Sequence, residues 1–359
     1  MHSPEVARRW LFSRRVDLSI LAIPAVIALV SLVLIREDGQ RSMPLWAFLI
    51  LIVAFDVSHV WATIYVTYLD KRAFRSRPLL YTLPIPLCFA VAYRLHSHSS
   101  SLFWTLLAYV AIYHFIQQQW GFIALYKARA QERNSFDYHC DKWTLWAGAL
   151  GPVLMWHASP ARQFDWFNAG ESFIFSIESY LKPDILAASL AFAAVYLSRQ
   201  AWLWLKHGRF NVGKNLWMLG SWISWYVGIG LAEHPLVSAA FLNLFHGIPF
   251  LAIVWFRCHH GARKEGASPL MRWLTQRKQW LAFYAIILGL AVLEELLWDG
   301  LVWKQYLPNL IGLGEQALAP HWLTLTVALL SVPQMVHYFL DAFIWKLDQH
   351  NKDLQEALL

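Results

Sequence analysis

The stretch from Pro44 to Leu69 reads PLWAFLILIVAFDVSHVWATIYVTYL, and the basic run DKRAFRSRP (Asp70 to Pro78) follows it at once. So long an apolar run exceeds the roughly 18 residues that a helix needs to cross a bilayer. Its middle carries a carboxylate, Asp56, and an imidazole, His59. Polar groups at that depth are costly and therefore count as candidates for function.

Similar runs recur on both sides of this one. Expected spans lie at roughly 18–35, 44–69, 79–95, 101–126, 143–158, 183–206, 214–231, 235–256, 279–297 and 320–346. The fifth is short and holds Gly148, Gly151 and Pro152, and the third contains Pro84 and Pro86, which predict a kink. Composition agrees with this reading. Of 359 residues, 58% are hydrophobic and only 15% charged, against about a quarter charged in a soluble domain. Mean hydropathy is +0.38. The expected fold is an all-α, polytopic transmembrane helix bundle of about ten spans, forming a single integral membrane domain over residues 1–359.

The basic residues test that count. They gather at Arg8 to Arg15, Lys71 to Arg77, Lys127 to Lys142, Arg199 to Lys214, Arg257 to Lys278, and Lys346 with Lys352. Of the 30 Lys and Arg, only Arg36, Arg41, Arg94, Arg162, Lys182 and Lys304 fall on the other side. The positive-inside rule then puts both termini in the cytoplasm of a bacterial inner (plasma) membrane. The net charge of +7 is thus a topology signal that also favours anionic membrane lipids as partners, and no motif supports nucleic-acid binding. No small-residue cleavage site follows the first apolar run, so no removable signal peptide is expected. Many of the 21 tryptophans, such as Trp46, Trp143, Trp202 and Trp255, sit at span ends where interfacial belts form. Loop residues 159–182 read as an amphipathic interfacial segment. The three cysteines, Cys88, Cys140 and Cys258, form no CxxC pair, which excludes zinc-ribbon and iron–sulfur ligation.

Four even-numbered spans carry one inner histidine each: His59, His114, His246 and His337. Counted from the span starts, they fall within about 9 Å of one another along the membrane normal. Each has a polar neighbour at helical spacing: Asp56 before His59, Gln117 and Gln118 after His114, Asn243 before His246, Asp341 after His337. Gln334 precedes His337 by one turn, with Pro333 loosening the ladder beside it. Imidazole with carboxylate and no thiolate suits iron, zinc, copper or manganese. Asp56 and Asp341 would ligate the metal or orient the rings; Gln117, Gln118, Asn243 and Gln334 would lie behind them or touch substrate. The bland reading is that each histidine only bonds one helix to another, as polar groups in lipid do. The histidines in loops and at span ends, His96 and His157 among them, read as solvated, and Glu294 and Glu295 as water-exposed near the outer end of span nine.

The segments HYFLDAFIWK (His337 to Lys346) and NLFHGIPF (Asn243 to Phe250) resemble patterns in the Brp/Blh group of bacterial polytopic membrane proteins. The resemblance implies a dioxygenase that uses histidine-bound iron to cleave a carotenoid into retinal. The HxxxH and HxxHH boxes of membrane desaturases are missing, because the inner histidines lie one to a helix.

The leading expectation is a membrane-embedded, metal-dependent oxidoreductase or oxygenase, with non-haem iron, acting on a lipid or isoprenoid. Haem held by histidine pairs is the alternative cofactor. The competing classes are a proton-coupled transporter using a His/Asp relay and an accessory membrane protein whose polar residues only join helices.

Overall fold

The structure is a computed structural model that describes residues 10–35, 43–159, 175–232, 234–306, 318–348 and 351–359. Every regular element among these residues is helical, as expected. The helices are α1 (Arg14–Ile35), α2 (Leu45–Val66), α3 (Lys71–Ser76), α4 (Pro78–His98), α5 (Ser100–Arg129), α6 (Ser135–His157) and α7 (Lys182–His207). They continue with α8 (Val212–Trp225), α9 (Pro235–Gly261), α10 (Pro269–Leu274), α11 (Trp280–Trp298), α12 (Pro320–Ile344) and α13 (Lys352–Leu358). A helix stands at each segment expected to span. Six of these segments are long and apolar enough to cross a membrane: 45–66, 78–98, 179–207, 236–261, 277–303 and 320–344. That marks the chain as a membrane protein. Residues 160–174, most of the loop read as an interfacial segment, lie outside the described residues, as do 307–317.

Proline acts where the sequence says it should. The run 78–98 breaks at Leu83, ahead of Pro84, and α12 is interrupted at Ser331, ahead of Pro333. There the Ser331 hydroxyl donates back to the Val327 carbonyl at 2.7 Å, taking up backbone capacity that the broken ladder leaves over.

The chain divides into two compact units, residues 1–43, 112–249 and 358–359 in one and 44–111 with 250–357 in the other. The division falls within the continuous helices α5 and α9.

In the first unit α6 packs on α7 and on α8 with its π-helical extension Tyr226–Leu231. Close approach depends on small residues, as is usual between helices in lipid. Gly148 lies against the Trp222 indole and Gly151 against Ser189, so a Cβ at either would overlap its neighbour. Trp222 also donates to the Thr144 carbonyl at 3.1 Å. At the basic end of the unit, Asp17 accepts from the N–H groups of Leu11, Phe12 and Ser13 and from the Tyr126 hydroxyl. Beside it four buried or half-buried charges balance. Lys214 bonds Glu132 at 3.0 Å and Asp141 at 3.2 Å, and Lys127 pairs with the same two carboxylates. Burial works against the Glu132 carboxylate, but Lys214, Asn211 and Lys127 outweigh it and hold its pKa below the ordinary value.

The core of the second unit gathers Tyr65, Phe283, Ile287, Val254 and Leu340 around α2, α9, α11 and α12. Tyr65 stacks on Phe283 with ring centroids 4.0 Å apart and donates its hydroxyl proton to the Phe283 carbonyl. Glu294, expected to face water, is buried instead: its two oxygens accept from Trp61 at 2.6 Å and from Trp298 at 3.3 Å. The expectation failed because a helix near its end still has a packed face, and two indole donors satisfy the carboxylate there.

Burial separates the helices by role. In α9, 78% of the apolar window is buried, whereas in the 179–207 segment 11% is. An apolar helix so exposed has lipid as its natural solvent.

Candidate metal centre

The sequence builds the site from two interrupted helices and two continuous ones. Residues Phe48–Val57 of α2 are π-helical, and the chain returns to α-helical winding at Ser58. The Ser58 hydroxyl marks the return by donating to the Val53 carbonyl at 2.9 Å. His59 sits in the first turn after this change, and π-helical segments recur at functional sites because they re-aim the side chains around them. His337 stands in the half of α12 that follows the Ser331 break. His114 and His246 lie on the unbroken helices α5 and α9.

Within the second unit the His59 and His337 rings meet edge to face, centroids 4.8 Å apart and planes at 79°. Phe250 packs against both, at 5.4 and 5.1 Å. The Thr63 hydroxyl oxygen is 2.7 Å from His337 Nδ1. Within the first unit His114 and His246 form a pair of the same kind, 4.9 Å apart at 76°, and Phe115 stacks on His246 at 3.9 Å. All four rings are buried, none more than 4% exposed.

The four histidines form one buried group that could hold a metal ion: each offers one ligand atom, and these atoms lie within 4.8 Å of one another. A metal–imidazole bond is about 2.1 Å, so two nitrogens on one ion are separated by at most about 4.2 Å. Shifts of a few tenths of an ångström per ring close that difference. The donor set is four imidazoles. Cys88 and Cys258 are buried elsewhere, in the core of the second unit, so the group has no thiolate.

The other expected residues take other places. Asp56 Oδ1 is 3.7 Å from His59 Nδ1, and Asp341 Oδ1 is 3.7 Å from His337 Nδ1; neither carboxylate belongs to the four-atom group. Asp341 accepts from the Trp345 indole at 3.1 Å. Gln118 donates to the His246 backbone carbonyl at 3.0 Å, so its amide nitrogen braces α9. Gln334 donates to the Tyr338 hydroxyl at 2.7 Å, one turn along its own helix. Asn243 is buried and Gln117 half-buried. Gln119, the third glutamine of the row, accepts from the Trp225 indole at 2.8 Å.

Two histidines read as solvated are buried and bonded. His96 Nδ1 meets the Thr324 hydroxyl at 3.0 Å, and His157 Nδ1 lies 2.7 Å from the Val153 carbonyl. Each ends a helix yet finds a partner inside the protein, which lets an imidazole leave water cheaply. Neither belongs to the four-histidine group.

Thr63 is the contributor that the sequence reading missed. Its signal was present, since Thr63 follows His59 by four residues and shares its helix face. An imidazole that binds metal through Nε2 carries its proton on Nδ1, and the Thr63 oxygen is placed to accept it from His337.

No protein-family model matches the chain, and no curated protein or solved structure matches it either.

Proposed function

We propose that the chain is an integral membrane metalloprotein in which His59, His114, His246 and His337 hold one transition metal, with iron the leading candidate. Its reaction would be the oxidation or oxygenation of a lipid or isoprenoid. The observation that carries this reading is the group itself, four buried imidazoles with ligand atoms within 4.8 Å.

The residues divide the work. The four imidazoles would bind the ion as neutral ligands, keeping its full positive charge. Thr63 would orient His337, while the Asp56 and Asp341 carboxyl groups stand 3.7 Å from Nδ1 of His59 and His337, near enough to brace the rings through small shifts. Phe250 and Phe115 cover ring faces and exclude water. Iron would supply the redox capacity for oxygenation, which these side chains lack. An apolar substrate suits a centre buried among the helices of a membrane protein, since it can arrive through the bilayer. Cleavage of a carotenoid, the reaction implied by the resemblance of 243–250 and 337–346, belongs to this class.

Haem fits less well. Haem would take two of the four histidines and leave the other two of the same group without a metal to hold. The orientation that accompanies this reading has about ten spans with both termini on the cytoplasmic side, supported by the gathering of Lys and Arg into alternate loops.

Metal analysis of the detergent-purified chain beside its optical spectrum tests the proposal. About one equivalent of a single transition metal per chain, with no Soret band, is expected. Active protein with less than about a tenth of an equivalent would remove the reading.

A further inference from the structure

A surface groove of about 360 Å³ lies in the second unit, lined by Trp255, Phe256, His259, Arg277 and Trp280. Arg277 opens the apolar segment 277–303, so the groove sits at the level where a spanning helix meets headgroups. The chain around it is basic, with Arg277 in the lining and Arg263, Arg272 and Lys278 near it in sequence. Trp280 and Leu281 are exposed beside it, and the outward stripe of α11 that starts at Leu281 continues through Val292 and Leu296.

The polar contacts around the groove are specific. His259 Nδ1 lies 2.7 Å from the Thr275 carbonyl and donates to it, which leaves Nε2 as an acceptor. Arg263 donates to that Nε2 at 2.8 Å and is thereby held beside the groove. Among the described residues no carboxylate forms an ion pair with Arg263 or Arg277; the neighbouring Glu356 is taken by Lys264 and His260. An aromatic groove that holds one guanidinium, has a second tied to its lining histidine, and borders an exposed apolar helix stripe has two-part chemistry. It asks for an occupant with an anionic head and a hydrocarbon tail.

We propose that this groove holds one anionic phospholipid from the leaflet on the basic side of the protein. The phosphate would sit on Arg277 with Arg263 beside it, since guanidinium forks match phosphate oxygens. The acyl chain would pass over Trp280 and run down the exposed face of α11. The volume is at the small end of ligand sites, enough for a headgroup and the start of a chain, with the rest lying along the helix.

Native mass spectrometry of the full-length purified chain, loaded with phosphatidylglycerol or phosphatidylcholine of identical acyl chains, tests this. The expected result is one phosphatidylglycerol retained at lipid levels where phosphatidylcholine is lost. Arg277→Gln should weaken retention about fivefold, the effect of one interfacial cation. Trp280→Ala should weaken it as well, while Arg94→Gln, an exposed cation at another helix, should leave it unchanged. Equal retention of the two lipids, or no effect of Arg277→Gln, would overturn the proposal. So would displacement by glycerol phosphate or inorganic phosphate, which would make the groove a site for free anions. Arg277 is exposed and polar, so its substitution keeps the test interpretable if Trp280→Ala fails to fold. Metal content should not change in any of these variants, which separates this test from that of the metal centre.

Discussion

The Thr63 hydroxyl oxygen stands 2.7 Å from Nδ1 of His337, a bond between buried side chains 274 residues apart in sequence. It engages Nδ1, so the proposed metal bond of His337 falls to Nε2. Asp341, one turn from His337 on the same helix, stays at 3.7 Å and gives its oxygen to Trp345. Thr63→Val keeps the shape of the side chain and removes the oxygen, so metal affinity should fall by about 10–100-fold. Thr63→Ser should restore most of it. A competition titration with a chelator reads both, and equal affinities for the two variants would show that the hydroxyl does not act on the metal.

The four inner histidines should behave as a set. Replacing any one of His59, His114, His246 or His337 by Ala removes a quarter of the donors and should lower bound metal at least tenfold. His96→Ala is the control: that ring is buried and bonded to Thr324, yet belongs to no ligand group. It should cost stability and leave metal content intact. If His96→Ala depletes the metal as far as His337→Ala does, the loss reflects general unfolding and the assignment fails.

Much of this was legible in the sequence because lipid imposes few solutions. Long apolar runs have to become helices, and every expected span lies on one. The four histidines were found by counting costly residues at matching depth. What the sequence hid was how the neighbours are used. Spacing alone puts Asp341 and Thr63 on equal terms as partners for a ring, one along the helix and one across it. The choice depends on how α2 and α12 pack in the second unit. Glu294 was misread for a similar reason: nothing in the linear order says that Trp61, 233 positions away, will donate to it.

The four-charge group at the basic end of the first unit should dominate its tolerance to acid. Asp141 is fully buried between Lys127 and Lys214. Asp141→Asn would strand two lysines on one carboxylate and should cost about 3–5 kcal/mol, read as a lowered midpoint of thermal unfolding in detergent. Glu132 supplies the pH dependence. Its folded pKa lies below the ordinary 4.5, so its share of stability is complete above that value and disappears as pH falls through the folded pKa. Unfolding midpoints followed downward from pH 5 should therefore drop more steeply for the natural chain than for Glu132→Gln. Parallel profiles would mean that Glu132 contributes no such linkage.

Gly148 tests whether the first unit is held by close helix contact. A Cβ there would overlap the Trp222 indole, and Trp222 is itself tied to the Thr144 carbonyl, so the ring cannot swing away without losing a bond. Gly148→Ala should therefore destabilise by about 1–3 kcal/mol, although alanine is the better helix former by roughly 1 kcal/mol. The sign separates the two effects. Gly121 lies on a helix with open space around its Cβ position, so Gly121→Ala should be neutral or stabilising in the same assay. If both substitutions stabilise, helix propensity outweighs packing, and α6 and α8 are not in the tight contact that the Trp222 bond implies.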